Sequence, residues 1–404
     1  MCFKKIVLAV SIVAVSESVL AENNLAQEIQ ALKEKLELLE QKSKQQELEL
    51  SQVQAAQQVT KPATGLKNVE FKPYGFIRAD VDHHFEGLDA IFNKINTVPL
   101  DSNSNNINGR SLFNVNASRF GLDINTKVSD QDINGKIEVD FRGGSTQDQL
   151  RIRHAYVKVN NWLFGQTTSP FVSADVLPEM VDFMANVGGG VQRNPMIQYQ
   201  HSFDKNLKSW IALEDGSNSK NTDDQTRLPA VTTKTQIKSN DGKSVLNVRT
   251  LAMQKKTSAD EALAWGVGLG GIYQLNEMNK LHADYYHVKG DSKFMLFAND
   301  AYVLDQDKQI VENEYDSLAL ALTHQWNTKW RSTLGVGAML ANDGEYARFK
   351  PDANESLYQG WVNLYYTPNK SLSYAVEYVY GQRKDFLGRQ GTDSRLEGMV
   401  KYSF

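Results

Sequence analysis

The final ten residues, Arg395-Leu-Glu-Gly-Met-Val-Lys-Tyr-Ser-Phe404, read as a β-strand that ends on an aromatic ring. Successive side chains in a strand point to opposite faces, so Leu396, Gly398, Val400, Tyr402 and Phe404 share one face. Glu397, Met399, Lys401 and Ser403 share the other. One face is oily and the other is wet. The same alternation recurs from Glu70 onward. In a bilayer no sheet can leave an edge unpaired, because each unsatisfied backbone group costs several kcal/mol in hydrocarbon. The last strand therefore has to pair with the first. The expected fold is an all-β transmembrane barrel of about sixteen antiparallel strands, each about ten residues long.

The first 21 residues fit a barrel's delivery route. Lys4 and Lys5 precede the apolar run Ile6–Val15, and Val19-Leu-Ala21 forms a small-residue cleavage site before Glu22. That is the layout of a secretory signal peptide, with an apolar run too short to span a bilayer. The only cysteine, Cys2, leaves with it, so the mature chain is expected to build neither a disulfide frame nor a thiolate metal site. The formal charge of −4 becomes −5 once Lys4, Lys5 and Glu17 are removed, which argues against nucleic acid as a partner.

Residues 22–58 form a separate unit with neither Gly nor Pro. Leu25, Ile29, Leu32, Leu36 and Leu39 are spaced 4, 3, 4, 3, and the frame resumes at Leu50 and Val53 beyond the polar positions Ser43 and Gln46. This is a heptad seam, expected to be a short parallel coiled coil in the periplasm that ties protomers together. A single solvated helix is the competing reading. Residues 59–69, with Pro62 and Gly65, read as a linker, and 70–404 as the barrel.

Within the barrel, connections alternate in length. Short ones fall near Ser129–Asn134, Asn160–Asn161, Asp204–Asn206, Asn240–Lys243, Asn276–Asn279, Asn327–Lys329 and Pro368–Lys370. Long ones fall near Glu86–Arg110, Phe171–Arg193, Ser217–Leu228, Asp291–Glu314, Asp343–Ser356 and Phe386–Ser394. Outer-membrane barrels have this asymmetry, with short turns in the periplasm and long loops outside. Tyr365, Tyr366, Trp330 and Tyr402 lie near strand ends and suit the interfacial aromatic girdles.

Two stretches carry candidate chemistry. In Ala117-Ser-Arg-Phe-Gly-Leu-Asp-Ile124, sending Phe120, Leu122 and Ile124 to lipid sends Arg119, Gly121 and Asp123 to the lumen, with Gly121 leaving room beside the arginine. In Leu150-Arg-Ile-Arg-His-Ala-Tyr-Val157, Arg151 and Arg153 share a face, although Ala155 and Val157 have the same parity.

These two strands, the signal peptide, the long connection after Phe171 and the terminal phenylalanine resemble the trimeric general porins of sixteen strands. With its heptad helix the chain is most similar to the DcaP-like subgroup, dicarboxylate-type porins. The resemblance implies a homotrimer in outer-membrane lipid, without cofactor, in which a long loop folds into each barrel and faces wall arginines across a constriction. Here that loop is 171–193, carrying Asp175, Glu179 and Asp182. The arginines implied are Arg119, Arg151 and Arg153, with Arg78, Arg142 and Arg249 in addition.

Guanidinium holds its charge and offers a planar fork that matches carboxylates, so an arginine cluster in a narrow pore attracts and orients small dianions. Asp80, Asp82, Asp123, Glu138 and Asp140 share the lumen, which keeps an unselective or cation-leaning pore as an alternative. Metal and catalytic readings are weak. His83 and His84 are sequence neighbours on a strand, and His282 and His287 differ in parity, so neither pair can share a metal. Gly188-Gly-Gly190 lacks a P-loop's following Lys-Ser/Thr, and Asp101–Asn108 lacks the spaced carboxylates of a calcium loop. Ser118 and His154 fall in no nucleophile motif, which leaves an outer-membrane hydrolase as a remote alternative.

Overall fold

The computed structural model describes residues 69–404 apart from 88–89, 93, 101–107, 145–148, 185 and 217–223, together with Glu37, Gln41, Lys42, Lys44 and Gln45, which are helical. The signal peptide, the seam Leu25 to Leu39 and the linker lie outside the described residues, as does most of Asp101–Asn108.

The unit Val69–Phe404 is one antiparallel sheet closed on itself. Its strands are β1 (Glu70–Glu86), β2 (Arg110–Asn114), β3 (Arg119–Val128), β4 (Gln131–Gly143), β5 (Gln149–Val159), β6 (Trp162–Thr168), β7 (Arg193–Ser202), β8 (Leu207–Glu214), β9 (Ala230–Lys238), β10 (Val245–Lys256), β11 (Glu261–Gln274) and β12 (Asn279–Lys289). After the small external hairpin β13 (Tyr302–Leu304) and β14 (Ile310–Glu312) come β15 (Glu314–Gln325), β16 (Trp330–Ala341), β17 (Asn354–Tyr366), β18 (Leu372–Asp385) and β19 (Gln390–Ser403). A short helix, α1 (Glu345–Phe349), precedes β17. Both β2 and β3 pair with β1 and together make one interrupted stave, so the wall has sixteen.

Closure follows the expected route. β19 pairs with β1 from Phe76 opposite Ser403 to His84 opposite Arg395, and the Gly75 and Phe404 backbones exchange hydrogen bonds of 3.2 and 3.1 Å. No strand edge is left in the wall, as hydrocarbon demands.

The interior is inverted relative to a soluble core. Leu318, Leu320 and Leu322 are exposed on the outer face, while Ser317, Ala319 and Ala321 beside them are buried. Trp265, Val267 and Leu269 are likewise outside, backed by Gly266, Gly268 and Gly270. These three glycines make space inside: a Cβ on each would strike Phe171, Tyr286 and Asp284 in turn. Outer aromatics stack at the turn end, with Trp330 on Tyr366 at 4.5 Å and Tyr366 on Tyr374 at 6.2 Å. Tyr365 is not in that girdle. It is buried on the lumen side, beneath the Arg331 guanidinium.

Two corrections concern connections. β4 and β5, and β10 and β11, also turn back at the loop end, and the last loop is only 386–389, because β19 starts at Gln390. Neither short link carries the length by which loops were recognised.

Candidate pore constriction

The arginines come from four adjacent staves and from β7, with β6 between. Arg78 on β1, Arg119 on β3, Arg142 on β4, Arg151 and Arg153 on β5, and Arg193 at the start of β7 all border one cavity of about 340 Å³. The parity conflict on β5 has a geometric answer. Glu138 of β4 faces His154, but Val139 faces Ile152, so Arg153 is an extra residue in a β-bulge. Before the bulge Arg151 and Arg153 point inward. After it the phase flips, and Val157 is exposed outside.

Several of these cations are paired. Arg151 grips Asp140 with two hydrogen bonds of 2.9 and 2.5 Å. Arg153 reaches Glu138 at 2.6 Å and Asp140 at 3.2 Å, and Arg119 lies 3.5 Å from Glu138. Arg78 bonds Asp80 at 2.7 Å and the Val181 carbonyl at 2.6 Å. Arg142 and Arg193 differ. Arg142 sits over the Phe92 ring at 4.4 Å, and Arg193 donates to the Val191 carbonyl at 3.2 Å. Among the described residues, neither has a carboxylate within ion-pair distance.

Gly121 does not serve the arginine beside it. A Cβ there would collide with the Tyr74 ring, whose hydroxyl donates to Glu138 at 2.8 Å.

Opposite the arginines, the connection 169–192 folds into the lumen, and its three acids are turned to the wall. Asp175 accepts from Lys234 and Gln236 of β9 at 3.2 and 2.7 Å. Glu179 accepts two bonds from Arg331 of β16, at 2.5 and 2.6 Å. Asp182 contacts the fully buried Arg395 of β19. Glu377 on β18 adds two more clamps by accepting the backbone N–H groups of Val181 and Asp182 at 2.9 and 2.7 Å. The glycine run at 188–190 lets the loop lie directly on the sheet: Ser317 donates to the Gly188 carbonyl at 2.8 Å, and a Cβ on Gly188 would strike the Leu318 backbone.

A second connection helps. Phe294, Met295, Phe297 and Ala298, from the loop after β12, join Phe171, Val172 and Val187 in a buried apolar cluster. The cluster packs on β10, β11, β12, β15, β16 and β17, and Ile95 and Val98 from the first loop complete it. This fills one side of the lumen. The open path is left against the arginine wall, where Leu177, Met180, Phe183, Met184 and Leu296 form its other side.

The model of the DcaP outer membrane protein family matches residues 10–404. The chain belongs to that family. The solved outer-membrane channel DcaP of Acinetobacter baumannii is 36% identical, superposes with a TM-score of 0.79, and is matched over 83% of this chain and 98% of that one. The anion-selective porin of Comamonas acidovorans shares the fold at 9% identity and TM-score 0.59, over 83% of this chain and all (100%) of that one. The trimer form of Vibrio cholerae OmpT shares it at 12% identity and TM-score 0.53, over 84% and 100%. Among curated protein sequences none matches. As a DcaP family member, the chain is an outer-membrane porin channel and not an enzyme.

Arg249 is placed away from the cavity. It is wholly buried under the inward loop, where it contacts Asp284 and donates to the Tyr286 hydroxyl at 2.7 Å. Ser118 is tied to the backbone of Arg78 and Val115, and His154 to the Thr167 hydroxyl. His84 pairs with Asp82 at 2.8 Å, while His83 contacts Ser111 on the other face.

Two cavity cations, Lys401 and Arg193, and the loop-holding Arg331 were not singled out in the sequence. Lys401 lies on the wet face of the last strand, and Arg331 is legible only once Glu179 is known to reach it. Alternation would send Arg193 outward, since its neighbour Asn194 is buried inside. It points into the path because it stands at the loop-to-strand junction.

Proposed function

We propose that the channel passes small hydrophilic solutes by diffusion, prefers anions, and takes small dicarboxylates as its substrates. One observation carries the reading. The cavity is bordered by Arg78, Arg119, Arg142, Arg151, Arg153, Arg193 and Lys401 against only Asp140 and Glu179, so positive charge is in excess. Rings of Arg and Lys are the expected lining of anion pores, and paired carboxylates suit a ladder of forked donors. Asp80, Glu138 and Asp140 neutralise part of that charge through Arg78, Arg119, Arg151 and Arg153, which leaves Arg142, Arg193 and Lys401 as the free steps of the ladder. Asp175, Glu179 and Asp182 act as loop anchors, and Arg249 supports the loop from behind.

The protomers assemble as a homotrimer in outer-membrane lipid, each with its own pore, with the seam of residues 22–58 joining them in the periplasm. The shared fold with a barrel solved as a trimer supports this arrangement.

The test is single-channel current in a planar bilayer with succinate added. Concentration-dependent current block by succinate, absent with a neutral solute of the same size, is the expected result. Stepwise conductance that ignores succinate would leave a channel without this substrate class.

A further inference from the structure

The connection from β1 to β2 also enters the lumen, and one of its residues has a place that apolar packing does not explain. Ile95 and Val98 are fully buried in the large apolar cluster, the Arg383 guanidinium of β18 donates to the Val98 carbonyl at 2.7 Å, and a Cβ on Gly381 of the same strand would strike Ile95. The segment is thereby pinned to the wall. Phe92, just before it, is 2% exposed, yet among the described residues it belongs to none of the buried apolar clusters. Its neighbours are a ring and two cations. Phe183 of the inward loop lies 5.2 Å away, and the guanidinium groups of Arg142 and Arg78 sit over the Phe92 ring at 4.4 and 5.5 Å. Both also reach over Phe183, at 5.6 and 4.5 Å.

Phe92 keeps this place against its own backbone. Its φ is 56°, in the left-handed region that a residue with a Cβ avoids. A glycine would suit that backbone better, so what the position supplies is the ring. Phe183 is fixed in turn by its neighbours, since the Val181 carbonyl accepts from Arg78 and the N–H groups of Val181 and Asp182 donate to Glu377.

The two arginines differ in what else holds them. Arg78 is paired with Asp80, whereas Arg142 has no carboxylate among the described residues within ion-pair distance. The rings are what hold Arg142. An aromatic face attracts a guanidinium through its quadrupole and adds no negative charge. It also occupies the face of the cation and leaves the in-plane N–H donors for another partner. A carboxylate would fix the same group but cancel it.

We propose that Phe92 is a positioning residue for anion selectivity: with Phe183 it holds the Arg142 guanidinium in place beside the path without neutralising it, available to the carboxylate of a passing solute. The proposal rests on the anion-preferring reading of the pore, and its test separates the two.

The test measures reversal potentials of the full-length protein in a planar bilayer under a potassium chloride gradient, with heat-modifiable migration on gels showing that each variant is a folded barrel. A cation held by an aromatic face gains about threefold in the population of its held conformer. Phe92→Leu, which keeps apolar bulk without the ring, should therefore lower the anion-to-cation permeability ratio about threefold. Phe92→Gly relieves the backbone and should lower the ratio as much. Phe92→Tyr restores a ring and should recover the preference. In the Arg142→Gln background Phe92→Leu should have no further effect, because the cation it positions is gone. An unchanged ratio in either Phe92→Leu or Phe92→Gly, or a shift that persists undiminished without Arg142, would overturn the clamp and leave the anion preference standing. A wild type without chloride preference would overturn both.

Discussion

The Arg331 guanidinium on β16 holds the Glu179 carboxylate of the inward loop through two hydrogen bonds of 2.5 and 2.6 Å. The pair is partly open to solvent, so its loss should cost about 1 kcal/mol. That raises the undocked fraction of the loop segment about fivefold. Arg331→Ala should therefore show noisier single-channel current at unchanged barrel stability. Current noise equal to the wild type would mean that Glu377 and Arg395 alone hold the loop.

Steric contact offers a test without charge. A Cβ on Gly337 would strike the Val187 carbonyl of the inward loop. Gly337→Ala forces loop and wall apart, at the usual cost of overpacking, about 1–3 kcal/mol. The expected outcome is a changed conductance with the same sign of selectivity. Conductance identical to the wild type would place the loop elsewhere in solution.

Arg142 and Arg193 should set selectivity by themselves, whereas Arg151 should act as one half of its pair with Asp140. A unit charge about 7 Å from a passing ion in water is worth about 0.6 kcal/mol, favouring an anion and disfavouring a cation by that amount each, so each removal shifts the anion-to-cation ratio about sevenfold. Arg142→Gln and Arg193→Gln should reach that shift. Arg151→Gln alone frees Asp140 and should shift selectivity toward cations by a similar amount, whereas neutralising Asp140 with it removes the whole pair and should leave selectivity unchanged. Permeability ratios in bi-ionic conditions decide between these outcomes.

The loop after β12 has its own pH dependence. Asp291 is fully buried, and burial raises its pKa above the ordinary carboxylate value despite N–H donors from Lys293, Phe294 and Met295. The docked loop then binds this proton more tightly than the undocked one, so docking weakens as pH rises through the interval between the two pKa values. Limited proteolysis should find the segment better protected at the acid end of that interval. Asp291→Asn should flatten the dependence, and an unchanged slope in that variant would assign it to another group.

Much of the barrel was legible because its rule is local. Alternation placed Leu396, Val400, Tyr402 and Phe404 on the outer face, and closure required β19 to meet β1. Alternation failed where geometry breaks it, at the bulge at Arg153 and the junction at Arg193; Tyr365 obeys it, facing the lumen in phase with Trp361 and Asn363, and was misread because its aromatic ring suits a girdle. The inward path of the loop after β12 carried no local signal. Phe294 to Ala298 look like an external loop until Phe171 and Val172 are in place to receive them. Pairing across the lumen, such as Asp182 with Arg395, joins residues too distant in sequence for any spacing rule.

The central claim is anion preference set by the excess of arginine at the constriction. Its most direct test is the reversal potential of the purified protein in a planar bilayer under a potassium chloride gradient. A reversal potential on the chloride side is predicted, moving toward zero in the Arg142→Gln, Arg193→Gln double variant. A potassium-side reversal in the wild type would contradict the account.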